Sequence, residues 1–241
     1  MKRQSSKQSG FTLVEIAIVL VIIGLLLGGV LKGQELITSA KGKALDNDKA
    51  GIVAAFTSYT DRYKALAGDD LTAAARFTIE KCGGAACLNG SGNGALVGGW
   101  NTFSAAAAVP AVANEQLLAW QHLRAASFLK EGEASIFSNP RHSASGRIGV
   151  QPGQVYTGQN ATATAQAFIT FENVATNVAQ SLDSSVDDGF LNLGVYRGAN
   201  HPTNAFAGAS YSLGAVAVTG APNLATASGN LATYNVAAPL F

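Results

Sequence analysis

A single carboxylate lies near the start of a long apolar segment of this sequence. From Phe11 to Leu31 the chain is almost entirely apolar, and Glu15 is its only ionisable side chain. A run of roughly 20 apolar residues is long enough for a helix that crosses a bilayer. A carboxylate inside such a span is costly unless a cation pairs with it. Glu15 therefore requires a partner of opposite charge.

The ten residues before this segment indicate where that partner comes from. They contain three cations and no acid: Lys2, Arg3 and Lys7. The positive-inside rule keeps such a terminus in the cytoplasm and sends the rest of the chain outward. Gly10 precedes the apolar run, whereas a secretory signal has its cleavage site after the run. If a peptidase cut between Gly10 and Phe11, the new α-amino group would be a cation available to Glu15 of the same chain or of a neighbour.

The run Gly10-Phe11-Thr12-Leu13-Val14-Glu15 resembles the type III signal of type IV pilins and type II secretion pseudopilins. In that family, prepilin peptidase cuts after the glycine and N-methylates the new first residue, and the fifth mature residue is a glutamate. The resemblance implies that Gly10 and Phe11 form the processing site. It also implies that Glu15, fifth from Phe11, is the assembly contact. A plain signal anchor with an incidental Glu15 is the alternative.

The resemblance also implies partners and a location. The precursor is expected to cross the bacterial inner membrane once, with its head outside the cytoplasm. Assembly machinery in that membrane would then draw it from the lipid bilayer into a helical filament with copies of itself and related subunits. A mature length of 231 residues, 241 less the ten of the leader, favours a pilus subunit, major or minor, over a pseudopilin of type II secretion. The alternative of another class is a monomeric, membrane-anchored binding domain.

The chain has two cysteines, Cys82 and Cys87, separated by four small residues. Outside the cytoplasm such a close pair predicts a local disulfide. Metal binding is the alternative, but it would require two further soft or imidazole ligands nearby in sequence, and none is there. Two free thiols are the other alternative to a disulfide.

Other residues suit chemistry only weakly. Asp183, Asp187 and Asp188 suggest a calcium loop, although an Asp-Asp-Gly turn after a helix explains them as well. His122 is expected to make a structural hydrogen bond. Neither a nucleophile elbow nor a Walker motif occurs, so we expect no enzyme and no cofactor. The glycine cluster between Asn89 and Gly99 is expected to be a flexible surface loop.

Composition supports one domain beyond the apolar segment. The chain is 48% hydrophobic and 13% charged, which is sufficient for one buried core. Without the three leader cations, 13 basic residues remain against 15 acidic ones, a net charge of about −2. This balance gives no electrostatic reason to expect nucleic-acid binding.

Hydrophobic periodicity predicts that the apolar helix continues as an amphipathic one. Six apolar residues recur at helical spacing on one face: Leu45, Ile52, Phe56, Tyr59, Tyr63 and Leu66. Six charged residues are expected on the opposite face: Lys41, Lys43, Asp46, Asp48, Asp61 and Lys64. The helix would end near Gly68, which would supply a left-handed cap after roughly 85 Å of stalk.

The rest of the chain predicts helices and short strands. A helix is expected from Asn114, and another is expected around Val174 to Leu182. Alternating patterns predict strands at 147–150, 154–157, 167–171, 193–196, 212–219 and 231–236. The expected fold class is α+β, with a long N-terminal helix packed against a small antiparallel sheet with long loops, and this is also the pilin architecture. The expected parts are a leader at 1–10, a membrane helix at 11–31, an amphipathic helix at 32–67 and a head at 68–241.

Overall fold

The computed structural model describes residues 12–97, 114–130, 135–152, 167–186, 195–200 and 233–240. One long helix, α1, runs from Leu13 to Tyr63 without interruption. Its 51 residues span about 76 Å. The helix ends before Gly68, because Lys64 itself takes the left-handed conformation with φ 54° and caps it.

The head contains short helices and one antiparallel sheet. The elements after α1 are α2 (Ala73–Arg76), a 3-10 turn (Glu80–Cys82), α3 (Glu115–Ala125), β1 (Ile148–Pro152), β2 (Ala167–Ala175), α4 (Thr176–Val186), β3 (Arg197–Asn200) and β4 (Thr233–Pro239). The four strands lie in the order β1-β2-β4-β3, and each neighbouring pair is antiparallel. The predicted α+β class, with a long helix and a small sheet, is confirmed.

Most predicted elements of the head are found close to their expected positions. β1, β2, β4, α3 and α4 overlap the predicted segments. The strand predicted at 193–196 is misplaced, because Val195 and Tyr196 form a bend and β3 begins only at Arg197. The strands predicted at 154–157 and 212–219 lie outside the described residues.

The core of the head forms where the predicted apolar stripe of α1 meets α3 and α4. Leu45, Ile52, Phe56 and Tyr59 are all buried. The Phe56 ring meets the buried Trp120 of α3 edge to face, with centroids 6.2 Å apart. Aromatic pairs in this arrangement stabilise a core beyond their area burial. The second half of α1 therefore forms part of the hydrophobic core of the head.

One residue of β2 is extra, and it redirects the strand. The pairing with β4 shifts between Phe171 and Val174, which is a β-bulge. Asn173 in the bulge has φ 59°, a conformation that asparagine tolerates better than most residues. Since bulges bend a strand, this one lies where β2 turns directly into α4 and towards α1.

Candidate assembly site and its attachment to the head

Glu15 lies in the first turn of α1 and is bonded to Thr12. The Thr12 hydroxyl and backbone N–H both donate to Glu15 Oε2, at 2.7 and 2.8 Å. In return, Glu15 N–H donates to the Thr12 hydroxyl at 3.3 Å. This reciprocal pair is a capping box, which satisfies two donors that a helix start otherwise leaves free. Within a single chain, two hydrogen-bond donors of Thr12 therefore face the carboxylate that was predicted to need a cation.

The two predicted processing residues, Gly10 and Phe11, lie outside the described residues. The described part of the stalk begins at Thr12, one residue after the first residue of the expected mature chain. Glu15 is three positions further along the helix and is exposed. The carboxylate therefore lies within one helical turn of the first described residue.

The first half of α1 is apolar on every side, and no described part of the head packs against it. The segment Leu13–Leu31 contains no buried residue, and its large side chains remain mostly exposed; Leu13, for example, is 92% exposed. By length and composition α1 can cross a membrane. Gly24, Gly28, Gly29 and Gly33 lie in this half with open space around each. An apolar surface of this extent requires lipid or other helices around it.

A charged pair follows the apolar run. Lys32 Nζ lies 2.7 Å from Glu35 Oε2, and both side chains are about two-thirds exposed. Leu36 and Ile37 come next and are also exposed. Thr38 follows, and its hydroxyl lies 3.4 Å from Asn177 Nδ2 of the head. Within the described residues, the head therefore attaches to α1 beyond this pair.

The head contacts α1 from Thr38 onwards through both apolar and polar groups. Gly42 is buried, and a Cβ at that position would lie 3.0 Å from the backbone nitrogen of Leu182 in α4. Asp46 accepts a hydrogen bond from the Tyr196 hydroxyl, and Asp48 Oδ2 accepts one from Ser143 N–H at 2.7 Å. The prediction that Asp46 and Asp48 lie on the face opposite the apolar stripe is therefore wrong, since both contact the head. Asp48 follows Leu45 by three residues and precedes Ile52 by four, which places it on the apolar stripe itself, whereas Asp46 lies at its flank.

The end of α1 is joined to the following turn by a buried carboxylate. Asp70 Oδ2 accepts the Tyr59 hydroxyl at 2.8 Å, and Oδ1 accepts the backbone N–H and hydroxyl of Thr72. Arg76 Nε lies 3.5 Å from Oδ2. Burial alone would raise the pKa of Asp70, but the hydrogen bonds from Thr72 and Tyr59 and the charge of Arg76 outweigh it and lower the pKa. The turn is therefore held by an ionised carboxylate.

His122 joins the same turn to α3 and to the disulfide segment. Its Nδ1 accepts the Gly68 N–H at 2.9 Å, and its Nε2 lies 2.8 Å from the Leu88 carbonyl. Since one ring nitrogen accepts and the other must donate, the ring is neutral with its proton on Nε2. Burial lowers its pKa. The predicted structural role of His122 is confirmed.

The glycine-rich loop 89–97 is wound around two buried carboxylates, Asp69 and Glu115. Asp69 accepts the N–H groups of Asn93 and Gly94 at 3.0 and 2.6 Å. Glu115 accepts those of Ser91 and Val97, both at 2.7 Å. The loop was predicted to be flexible, but the structure fixes it at both ends. Successive glycine-rich N–H groups form a nest for an anion, and here that anion is part of the chain itself.

Cys82 and Cys87 form the predicted disulfide, with Cα atoms 5.2 Å apart. The next residue, Leu88, bonds to α3 through both of its backbone groups. Its N–H donates to Gln121 Oε1 at 3.1 Å, and its carbonyl accepts from His122. The disulfide therefore holds in place the segment that includes Leu88, whose carbonyl orients the His122 ring.

The predicted calcium residues do not form a loop site in the part that is described. Asp183 is buried within α4 instead of lying in a loop. Asp187 and Asp188 fall outside the described residues. Among the described side chains, no three His, Cys, Asp or Glu lie together in an arrangement that could hold a metal ion.

Comparison with known families concerns the first part of the chain. Residues 5–31 match the family model described as the prokaryotic N-terminal methylation motif. No curated protein and no solved structure matches the chain. The matched range contains Gly10, Phe11 and Glu15, so the resemblance predicted from these residues is confirmed. The motif implies processing by prepilin peptidase and assembly into pilin filaments, and its family consists of structural subunits. Residues 5–31 are the prepilin-type signal of type IV pilins and pseudopilins.

Proposed function

We propose that this protein is a structural subunit of a type IV pilus-like filament. The leader 1–10 is removed after Gly10, Phe11 is N-methylated, and residues 11–31 anchor the precursor in the inner membrane until assembly. Residues 32–67 continue the stalk, and residues 68–241 form the head outside the cytoplasm. The observation that carries this proposal is an uncovered apolar half-helix that begins with the matched motif and continues unbroken into the head.

The uncovered segment suits a bundle of like helices. In the membrane its apolar surface is covered by lipid, and in a filament the same surface is covered by the stalks of neighbouring copies. The four open glycines allow neighbouring helices to approach closely, as small residues do in membrane bundles. The same apolar surface therefore contacts lipid in the membrane-anchored precursor and neighbouring stalks in the filament.

Glu15 is proposed to set the axial position of each copy. In a bundle of apolar helices a carboxylate is stable only beside donors or a cation, because burial of an unpaired charge is strongly unfavourable. Thr12 supplies two donors within the chain. The methylated amine of Phe11, from the same or a neighbouring chain, would supply the cation. A copy displaced along the axis would lose that pairing.

Replacement of Glu15 tests the assembly role. Glu15→Ala should be inserted in the membrane and cleaved as usual, but filaments seen by electron microscopy should be lost or greatly reduced. Glu35→Ala is the matched control, since it removes an exposed carboxylate of the same helix outside the apolar run. Normal filaments from Glu15→Ala would contradict the proposed role.

A pseudopilin of type II secretion is the second candidate within the same proposal. It shares the signal and the stalk and differs in the machinery that it serves. Deletion of the gene separates the two functions. Loss of surface fibres with normal protein secretion supports the pilus, whereas loss of secretion with fibres retained supports the pseudopilus.

A further inference from the structure

The glycine-rich loop 89–97 contains two Asn-Gly pairs, Asn89-Gly90 and Asn93-Gly94. Asparagine before glycine can cyclise, because no side chain blocks the attack of the glycine nitrogen on the side-chain carbonyl of the asparagine. The two pairs lie four positions apart in one loop, yet their surroundings differ. The difference concerns three things that this reaction needs: the direction in which the side-chain carbonyl is held, an acceptor for the amide proton, and room to close the ring.

The side-chain carbonyl of Asn93 is polarised. Asn93 is exposed, and its Oδ1 accepts the N–H of Ala95 at 2.9 Å. This bond draws the side-chain amide across the peptide bond between Asn93 and Gly94. A donor at a carbonyl oxygen stabilises the negative charge that develops there during nucleophilic attack. The electrophilic carbon is therefore activated for attack by the nitrogen of Gly94, the next residue of the chain.

The proton that must leave Gly94 already points at a base. Gly94 N–H donates to Asp69 Oδ2 at 2.6 Å, while Oδ1 accepts Asn93 N–H at 3.0 Å and the Ser91 hydroxyl at 3.0 Å. The carboxylate of Asp69 is 4% exposed and is fixed by these bonds. A base within direct hydrogen-bond reach of the proton that it abstracts meets the geometric requirement for general base catalysis.

We propose that Asn93 is a site of spontaneous deamidation, for which Asp69 is the general base. The Gly94 nitrogen bonds to Cγ of Asn93 while its proton passes to Asp69. The bond from Cγ to the amide nitrogen then breaks, and ammonia leaves with that proton. The product is a five-membered succinimide. Water opens either of its two C–N bonds and leaves aspartate or isoaspartate, so the net reaction consumes one water and releases one ammonia.

Asn89 provides an internal control, because the same reaction is obstructed there. Its Oδ1 accepts Ala74 N–H at 2.8 Å, which holds the side chain towards α2. Gly90 N–H donates to the neutral backbone carbonyl of Asp70 at 2.9 Å. Gly90 is also buried against the backbone of Gly68 and Asp69, where even a Cβ would overlap. By contrast, Gly94 has open space around it.

The reaction would change how the loop is held. Conversion of Asn93 adds a carboxylate beside that of Asp69, and like charges at short range repel. The isoaspartate product also adds one carbon to the backbone between the two N–H groups that Asp69 accepts. The nest around Asp69 would then open, so an old subunit would present a different loop surface from a new one.

Mass spectrometry of the aged full-length chain in detergent tests this proposal. After incubation at neutral pH and digestion, fragment ions give the converted fraction at Asn93 and Asn89 separately. In the folded chain, Asn93 should convert roughly tenfold or more faster than Asn89, as expected for one positioned base. In urea the two rates should become similar, and Asn93 should be slower than in the folded chain. Equal rates in the folded chain, or a faster Asn93 in urea, would overturn the proposal.

The variant Asp69→Asn distinguishes two roles for Asp69, a general base for the reaction and a group that only restrains the loop. If Asp69 takes the proton, this variant should convert Asn93 roughly tenfold more slowly; if Asp69 only restrains the loop, the loosened loop should convert faster.

Since Asp69→Asn could unfold the head, the pH dependence of the unmodified chain gives a second measure. If Asp69 is the base, the rate at Asn93 should change little between about pH 6 and 8, because the reaction then does not depend on the concentration of hydroxide. A rate that rises tenfold per pH unit would show hydroxide to be the base and would contradict the proposal.

Discussion

The Tyr59 hydroxyl donates a 2.8 Å hydrogen bond to the buried carboxylate of Asp70, and thereby connects the last turn of the stalk helix to the first turn of the head. The Tyr59 ring stacks on His122, with centroids 6.0 Å apart, and lies 4.7 Å from the ring of Tyr63. One aromatic side chain thus contacts the stalk, the following turn and α3. This junction adds to the contacts that the stalk makes with the head at Gly42, Asp46 and Asp48.

Removal of this hydroxyl should weaken the junction without disturbing its packing. Tyr59→Phe keeps the ring but removes one of the donors to Asp70, and hydrogen bonds to charged groups contribute about 1.5 to 3 kcal/mol. We expect a loss of that order in the free energy of unfolding of the head, measured by urea titration in detergent. Tyr63→Phe is the matched control, since the Tyr63 hydroxyl takes no part in the bonds to Asp70. Equal effects of the two variants would refute this assignment.

The close contact between α1 and α4 depends on Gly42. Alanine normally stabilises a helix by about 1 kcal/mol relative to glycine, but a Cβ here would lie 3.0 Å from Leu182 N and 3.2 Å from Leu182 Cα. Because both are backbone atoms, the helices would have to separate. Gly42→Ala should lower the free energy of unfolding by roughly 1 to 3 kcal/mol, as overpacked cores do.

Gly51 supplies the comparison for Gly42 on the same helix. It is exposed, and nothing lies within 4 Å of a Cβ built there. Gly51→Ala should therefore stabilise the head by about 1 kcal/mol. The two substitutions are chemically identical, so opposite signs would isolate the contact with α4. A Gly42→Ala chain at least as stable as Gly51→Ala would contradict the contact.

Two buried neutral histidines should make the head sensitive to acid. His142 repeats the arrangement of His122, since its Nδ1 accepts Ala144 N–H at 3.1 Å and its Nε2 lies 2.7 Å from the Glu172 carbonyl. Burial lowers the pKa of both rings below 6.5. Between that value and the folded pKa, the unfolded chain binds more protons than the folded one. Stability is thus complete above about pH 6.5 and is lost as the pH falls below it.

Urea titrations between pH 7.5 and 5.5 measure this loss. Each histidine can contribute up to about 1.4 kcal/mol per pH unit. Glu172 acts in the opposite direction, since burial raises its pKa, so any part of its titration above pH 5.5 reduces the measured loss. A chain with His142→Gln should show a smaller slope than the unmodified chain. A flat profile in the unmodified chain would show that the two rings are not held neutral by the fold.

Local patterns in the sequence predicted the elements but not the polar contacts between them. The stripe from Leu45 to Tyr59 predicted the buried face of α1, because helical periodicity is a local property. The acceptors of the glycine loop could not be predicted in this way. Asp69 and Glu115 lie more than twenty residues from Asn93 in sequence, and only the folded chain brings them to its loop.

Asp46 and Asp48 show a second limit of the sequence pattern. Their charge led us to assign both to the face opposite the apolar stripe, but Asp48 lies three residues after Leu45 and four before Ile52, so helical spacing places it in the stripe. Tyr196 and Ser143, their partners, come from segments distant in sequence that surround the helix in the fold. A helical pattern shows which side of a helix is apolar, but it does not show how far the rest of the protein extends around that helix.

The mass of the mature N-terminus tests the central claim most directly. The protein is isolated from its own cells and its N-terminal peptide is sequenced by tandem mass spectrometry. A processed filament subunit predicts a chain that begins at Phe11 and carries one methyl group on its α-amino nitrogen. A chain that retains residues 1–10, or that begins at an unmethylated residue elsewhere, would contradict the proposed function and would favour a membrane-anchored monomer.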